Sequence, residues 1–246
     1  MNSPTAKAAR AALVFGGSRG IGAAIATRLA QDGFHVALTY ATRPDKAAEV
    51  VARIEAAGGQ GLAIAADSAD PAAIRAAVRQ AVARFGPLDA AVVNAGVLRL
   101  GTIDTVADAD LGLMLDVNIR GVFVAIQAAA AQVRDGGHLI TIGSNTAIRT
   151  GAPGGAVYAM TKAAVAALVK NVALELAPRG ITINNIQPGP TVTDMTAEMV
   201  EHLIPKIPLG RVGRPEEIAG LASWLASPAS AYMTGASLTI DGGYVL

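Results

Sequence analysis

At 246 residues, 52% of them apolar and only 16% charged, the chain has the material for one large buried core, and no Pro/Ser-rich linker or charge run divides it. Twenty Lys and Arg against 19 Asp and Glu leave a net charge of +1; with 4% aromatics and no basic stripe, this excludes the electrostatic footprint of a nucleic-acid binder and points to a small-molecule ligand. The absence of cysteine rules out a disulfide framework and thiolate catalysis, and His35, His138 and His202 share no metal-ligand spacing, so no metal site is expected.

Met1 to Arg10 is polar and the first apolar run is only strand-length, so no signal or membrane segment is expected and the chain reads as cytoplasmic. The first strand is predicted at Ala12–Phe15. It runs into the turn Phe15-Gly16-Gly17-Ser18-Arg19-Gly20-Ile21-Gly22 and then an Ala-rich helix to Asp32. Glycines at 16, 20 and 22 let backbone amides approach a pyrophosphate, and a helix behind them points its positive end at that charge. The spacing Gly-x-x-x-Gly-x-Gly differs from the generic Gly-x-Gly-x-x-Gly fingerprint, so tight strand-to-helix packing stands as the alternative at this point.

Further strands are predicted at His35–Thr39, Leu62–Ala66, Ala90–Asn94, His138–Ile142, Ile181–Ile186 and Ser237–Ile240. Helices are predicted at Asp45–Ala57, Pro71–Phe85, Asp108–Arg134, Val157–Ala177 and Pro215–Ala226. Gly33, Gly58-Gly59, Gly86-Pro87, Gly136-Gly137 and Pro178 to Gly180 sit where those helices should stop. The alternation predicts an α/β fold with a parallel sheet, whose ligand lies at the carboxyl ends of the strands.

Chemistry is therefore sought at strand ends. Asn94-Ala95-Gly96 closes the fourth strand and can bring backbone close to a flat ring, while Asn118 interrupts the apolar pattern of a long helix, where it acts in the site, faces solvent or bonds its own backbone. Ser144, in Thr141-Ile142-Gly143-Ser144-Asn145-Thr146, either hydrogen-bonds a substrate oxygen or simply forms a turn. Tyr158 and Lys162, four apart, continue the helical stripe of Val165, Val169, Val172 and Leu176. A lysine there is either a snorkelling surface residue or a cleft residue; in a cleft its charge would pull the phenol below its usual pKa of about 10. Gln187-Pro188-Gly189-Pro190-Thr191-Val192-Thr193-Asp194 forms a rigid turn after the sixth strand.

In order and spacing, Gly16, Gly20, Gly22, Asn94-Ala95-Gly96, Asn118, Ser144, Tyr158, Lys162 and Pro188-Gly189 resemble the short-chain dehydrogenase/reductase family. The likeness extends through Arg211 to Glu217 and Thr234 to Gly243. It implies a single Rossmann-type domain over 1–246, a seven-stranded parallel sheet with helices on both faces, a substrate lid near 193–211, and hydride exchange between a nicotinamide and a ketone or alcohol, similar to 3-oxoacyl-acyl-carrier-protein reductases. By that resemblance Tyr158 protonates the developing alkoxide, Ser144 orients the carbonyl, Lys162 binds the nicotinamide ribose and lowers the Tyr158 pKa, and Asn118 holds a water in a proton relay.

Cofactor contacts are implied for Gly16, Ser18, Arg19, Gly20, Ile21, Gly22, Tyr40, Arg43, Asp67, Ser68, Asn94, Ala95, Gly96, Tyr158, Lys162, Pro188, Gly189, Thr191 and Thr193. The second strand carries no carboxylate until Asp45, and Arg19 and Arg43 suit a 2′-phosphate, which favours NADP(H). Segments 98–103, 146–155 and 195–203 are expected to line the substrate pocket. Phe15 and Val93 depart from the Thr and Asn usual in relatives, so the tie between the glycine turn and Asn94-Ala95-Gly96 is expected to be weakened. The resemblance also implies a homotetramer pairing helices 108–134 and 157–177. A second resemblance, to cyclic-di-GMP-binding family members of biofilm dispersal, supplies the alternative of nucleotide sequestration.

Overall fold

The computed structural model describes residues 10–194 and 196–246. Its strands are β1 (Arg10–Phe15), β2 (Phe34–Tyr40), β3 (Gly61–Ala65), β4 (Leu88–Val93), β5 (Val133–Ile142), β6 (Thr182–Pro188) and β7 (Ser237–Ile240). All pair in parallel, in the order β3-β2-β1-β4-β5-β6-β7. This is the seven-stranded sheet expected from the alternating pattern.

Strands covered on both faces read as continuous apolar runs, because successive side chains enter opposite cores. In β1, Leu13 and Phe15 enter the core shared with α3 (Pro71–Phe85), α5 (Val122–Ala130) and α6 (Ala156–Leu176). Ala12 and Val14 enter the other, against α1 (Gly20–Gln31), α2 (Pro44–Ala56) and α8 (Pro215–Leu225). Strand order reverses between β1 and β4, and there the crossovers diverge to open a crevice at the carboxyl ends.

The helix predicted over Asp108–Arg134 is not continuous. It comprises α4 (Asp108–Leu115), a six-residue π-type turn over Asp116–Gly121, and α5, which ends at Ala130. Val133 and Arg134 already belong to β5, and Gly136-Gly137 lies inside that strand rather than stopping a helix. Burying β-branched Val133 beside Leu88 on the sheet outweighs the helical period: Val133 is 1% exposed, and the Leu88 amide donates to Gln132 O at 3.0 Å.

The segment after β6 forms only short helical turns, including α7 (Val200–Leu203), as the rigid Pro188-Gly189-Pro190 exit leads away from the sheet.

Candidate active site

The glycine turn joins β1 to α1 at the switch point. Gly16 has φ +70°, open to glycine at little cost, and a Cβ there would fall 2.9 Å from Ala95 Cα. A Cβ on Gly22 would collide with the Gly16 carbonyl, and Gly22 does not face the crevice. Gly16, Ser18, Arg19, Gly20 and Ile21 line the crevice, whereas Gly22, expected among the cofactor contacts, is buried and serves the packing of strand against helix.

The expected weakening of the tie at Phe15 does not occur. Its ring is buried in the core at 1% exposure, and Thr39 Oγ1 of β2 accepts from the Gly16 amide at 2.9 Å, which anchors the turn to the neighbouring strand. Asn94 adds two bonds, Nδ2 to Gly16 O at 2.8 Å and its amide to Phe15 O at 3.2 Å. Polar Thr39 in the run Phe-His-Val-Ala-Leu-Thr-Tyr was the available signal.

Two guanidinium groups stand at this end of the crevice. Arg19 Nη1 lies 3.3 Å from Asp194 Oδ2, both exposed, and Arg43 holds Asp45 through Nε (3.0 Å) and Nη2 (2.6 Å). The hydrogen bonds and charge of Arg43 bring the Asp45 carboxyl down to about 2, and Asp45 in turn raises Arg43. Tyr40, Asp67 and Ser68 line the same end.

At the other end, β5 delivers Ser144 and α6 delivers Tyr158 and Lys162 to one wall. The Lys162 side chain crosses beneath Tyr158, with Nζ 5.5 Å from the ring centroid, and donates to Ile142 O at 3.0 Å. Lys162 is 4% exposed, which excludes a snorkelling surface lysine, and burial lowers its pKa to about 8. The expectation that Lys162 would lower the Tyr158 pKa is not met in the free chain: burial pushes the phenol up to about 12, with only the Ser144 hydroxyl pulling the other way. One Lys162 N–H goes to a backbone carbonyl, and desolvation is the largest influence on the phenol. Tyr158 keeps partial contact with cleft solvent, and water screens part of that penalty.

Asn118 neither faces solvent nor bonds its own helix. It is fully buried, accepts from the Val97 amide at 2.8 Å, and donates to Val97 O at 2.8 Å and to Thr161 Oγ1 at 3.2 Å. The π-type turn directs it inward. It stands behind the wall rather than on it: Asn118 Oδ1 and Lys162 Nζ each lie 3.4 Å from where a Cβ on Gly96 would sit. Thr161, which donates to Tyr158 O at 2.7 Å, completes a buried network that the residue pattern did not reveal.

The crevice has a volume of about 500 Å³, in the range of small-ligand sites. Asn94, Ala95 and Gly96 line it between the two ends, and Pro188, Gly189, Thr191 and Thr193 line the side formed by the segment after β6. Of the expected pocket segments, Leu98, Leu100, Thr146, Thr150 to Pro153, Gly155, Thr196, Met199 and Leu203 reach it, and Ile103, 87% exposed, does not; Met195 is outside the described residues. Tyr244 was not foreseen as a lining residue. It packs so closely on Gly151 that any Cβ there would strike the phenol oxygen, and Arg149 Nη1 donates to Leu246 O at 2.6 Å.

A family model described as enoyl-(acyl carrier protein) reductase matches residues 16–245. The chain is 40% identical over 243 residues to the 3-oxoacyl-[acyl-carrier-protein] reductase FabG of Staphylococcus aureus, covering 96% of this chain and 98% of that one. It superposes on a short-chain dehydrogenase/reductase from Serratia marcescens with TM-score 0.94 at 52% identity, covering 96% and 98% of the two chains. A short-chain dehydrogenase from Burkholderia cenocepacia, solved in complex with NADP, gives TM-score 0.94 at 43% identity, with coverage of 96% and 98%. Likeness in sequence and fold over nearly the whole chain places it in the short-chain dehydrogenase/reductase family of oxidoreductases.

Proposed function

We propose that the chain is a cytoplasmic NADPH-dependent carbonyl reductase acting on a small ketone or 3-oxoacyl substrate. The observation that carries this reading is one crevice with Ser144, Tyr158 and Lys162 at one end and two guanidinium groups at the other. The donor set fits NADP(H): amides of the glycine turn and Ser18 would hold a pyrophosphate, Arg19 and Arg43 suit a 2′-phosphate, and the carboxylate nearest the second strand, Asp45, is engaged by Arg43. The NADP complex of the Burkholderia relative supports the same assignment.

The cofactor supplies the hydride; the protein's task is to place the carbonyl and deliver a proton. Tyr158 is the proton donor. Reduction needs the phenol protonated, and burial keeps it so throughout the neutral range. Ser144 donates a hydrogen bond to the carbonyl oxygen, polarising it as negative charge develops. Lys162 holds a positive charge under Tyr158, which stabilises the tyrosinate left after proton transfer. Asn118 fixes the Val97 backbone beside Gly96 and offers an amide near Lys162, where a returning proton would pass.

Leu98, Leu100, Met199 and Leu203 give the substrate end an apolar lining suited to a hydrophobic ketone. Apolar Phe123 and Leu115 are exposed on α5 and α4, and with Ile119 and Leu168 they supply faces for the homotetramer that the family resemblance implies. The decisive assay mixes purified protein with NADPH and a panel of aromatic ketones, aliphatic ketones and 3-oxoacyl thioesters. Cofactor oxidation with at least one supports the reading; none, together with tight cyclic-di-GMP binding, replaces it with nucleotide sequestration.

A further inference from the structure

Ser144 is 8% exposed and caps the short turn Asn145–Ala147 in extended conformation. Its Oγ accepts from the Thr146 amide at 3.1 Å and from Thr146 Oγ1 at 2.9 Å. A serine hydroxyl has one proton to give and two acceptor positions. Thr146 fills both acceptor positions, so the Ser144 proton is the one hydrogen-bonding element left to turn into the crevice that Tyr158 lines. The turn is held from behind, where Asn145 Nδ2 donates to Asp241 Oδ2 at 3.2 Å, and Asp241 also accepts from the amides of Gly243 and Val245.

We propose that Thr146 is a positioning residue that makes Ser144 an obligate donor toward the reacting oxygens. The inference rests on the reductase reading for its chemical meaning, and on the two hydrogen bonds for its geometry. Without the Thr146 hydroxyl, one acceptor position on Ser144 is free. The Tyr158 O–H can then donate to Ser144, which retains the proton on the phenol and directs it away from the substrate. With the hydroxyl present that arrangement is closed, and Ser144 donates to either the carbonyl oxygen or the developing tyrosinate.

The test compares Thr146→Val, which keeps the branched shape, with Thr146→Ser, which keeps only the hydroxyl. Steady-state reduction should show kcat about 5- to 10-fold lower in Thr146→Val with KM for the ketone nearly unchanged, the effect of one hydrogen bond acting after substrate binds. Thr146→Ser should restore kcat. A second readout does not need turnover: fluorine NMR of protein carrying fluorotyrosine, with the Tyr158 resonance assigned by its loss in Tyr158→Phe. Its titration midpoint should move to higher pH in Thr146→Val and return in Thr146→Ser. Thr146→Ala, which removes the hydroxyl without adding bulk, should behave as Thr146→Val in both measurements.

Wild-type kcat and an unmoved midpoint in Thr146→Val would overturn the inference, as would failure of Thr146→Ser to restore either readout, since the side chain would then matter only for packing. If the wild-type protein reduces no ketone, the reductase reading fails while the NMR titration still decides the role of Thr146.

Discussion

The two ends of the crevice are built on opposite physical plans. At the catalytic end, Asn118, Ser144 and Lys162 are buried, and among the described residues no buried side-chain polar atom lacks a hydrogen-bond partner. At the cofactor end, Arg19 and Arg43 are exposed and held by Asp194 and Asp45 in ion pairs open to water. Burial fixes geometry and proton affinity before any ligand arrives, because each group would be costly in any other arrangement. Exposed pairs cost little to exchange, so the cofactor end can trade a carboxylate for a phosphate.

The sharpest way to break this contrast is at the buried end. Tyr158→Phe should lower kcat/KM by about 10² to 10⁴ with a far smaller loss of NADPH affinity, since the proton donor is removed while the other groups that line the cofactor's crevice remain. Equilibrium titration of NADPH fluorescence beside steady-state kinetics separates the two effects, and substantial retained turnover would remove Tyr158 from its role.

The next effect is a pH dependence of stability. Lys162 falls to about 8 from an ordinary 10.5, so between those values the unfolded chain binds more protons and stability should rise with pH. The magnitude is on the order of 3 kcal/mol at most, from about 1.4 kcal/mol per pH unit. Tyr158 acts in reverse: raised to about 12, it keeps a proton that the unfolded chain loses from about 10 upward, and stability should fall there. Melting temperatures of the cofactor-free protein from pH 7 to 11 should thus show a rise and then a decline, with the rise absent in Lys162→Met.

At the exposed end the changes should be smaller and sensitive to salt. Arg43→Ala should raise KM for NADPH about 10-fold with kcat unchanged, and 0.5 M salt should shrink the difference, because screening reaches exposed charges first. Smallest of all, Asp45→Asn frees Arg43 and should tighten NADPH about twofold to threefold. Looser binding there would show that Asp45 orients Arg43 for the phosphate rather than competing with it.

The same division governs what could be read in advance. The strands were legible because two-sided burial writes itself as short apolar runs, and Gly16, Ser144, Tyr158 and Lys162 were legible because their spacing puts them at strand ends or on one helical face. The break in the long helix was not, since 108–134 keeps an apolar helical pattern across the π-type turn and into β5. Nor was the contact of Thr39, which anchors the glycine turn from a different strand, or that of Tyr244, which arrives from the far end of the chain.

The sequence by itself determined the α/β order, the glycine turn and the residue types at each strand end, since these depend on periodicity and local backbone freedom. Only the tertiary structure decided that Asn118 clasps Val97, that Thr146 occupies the acceptors of Ser144, and that the Tyr158 proton is held more tightly than its lysine neighbour alone would allow. These outcomes depend on desolvation and on hydrogen-bond partners, many from distant segments, and both exist only once the chain has closed around the crevice.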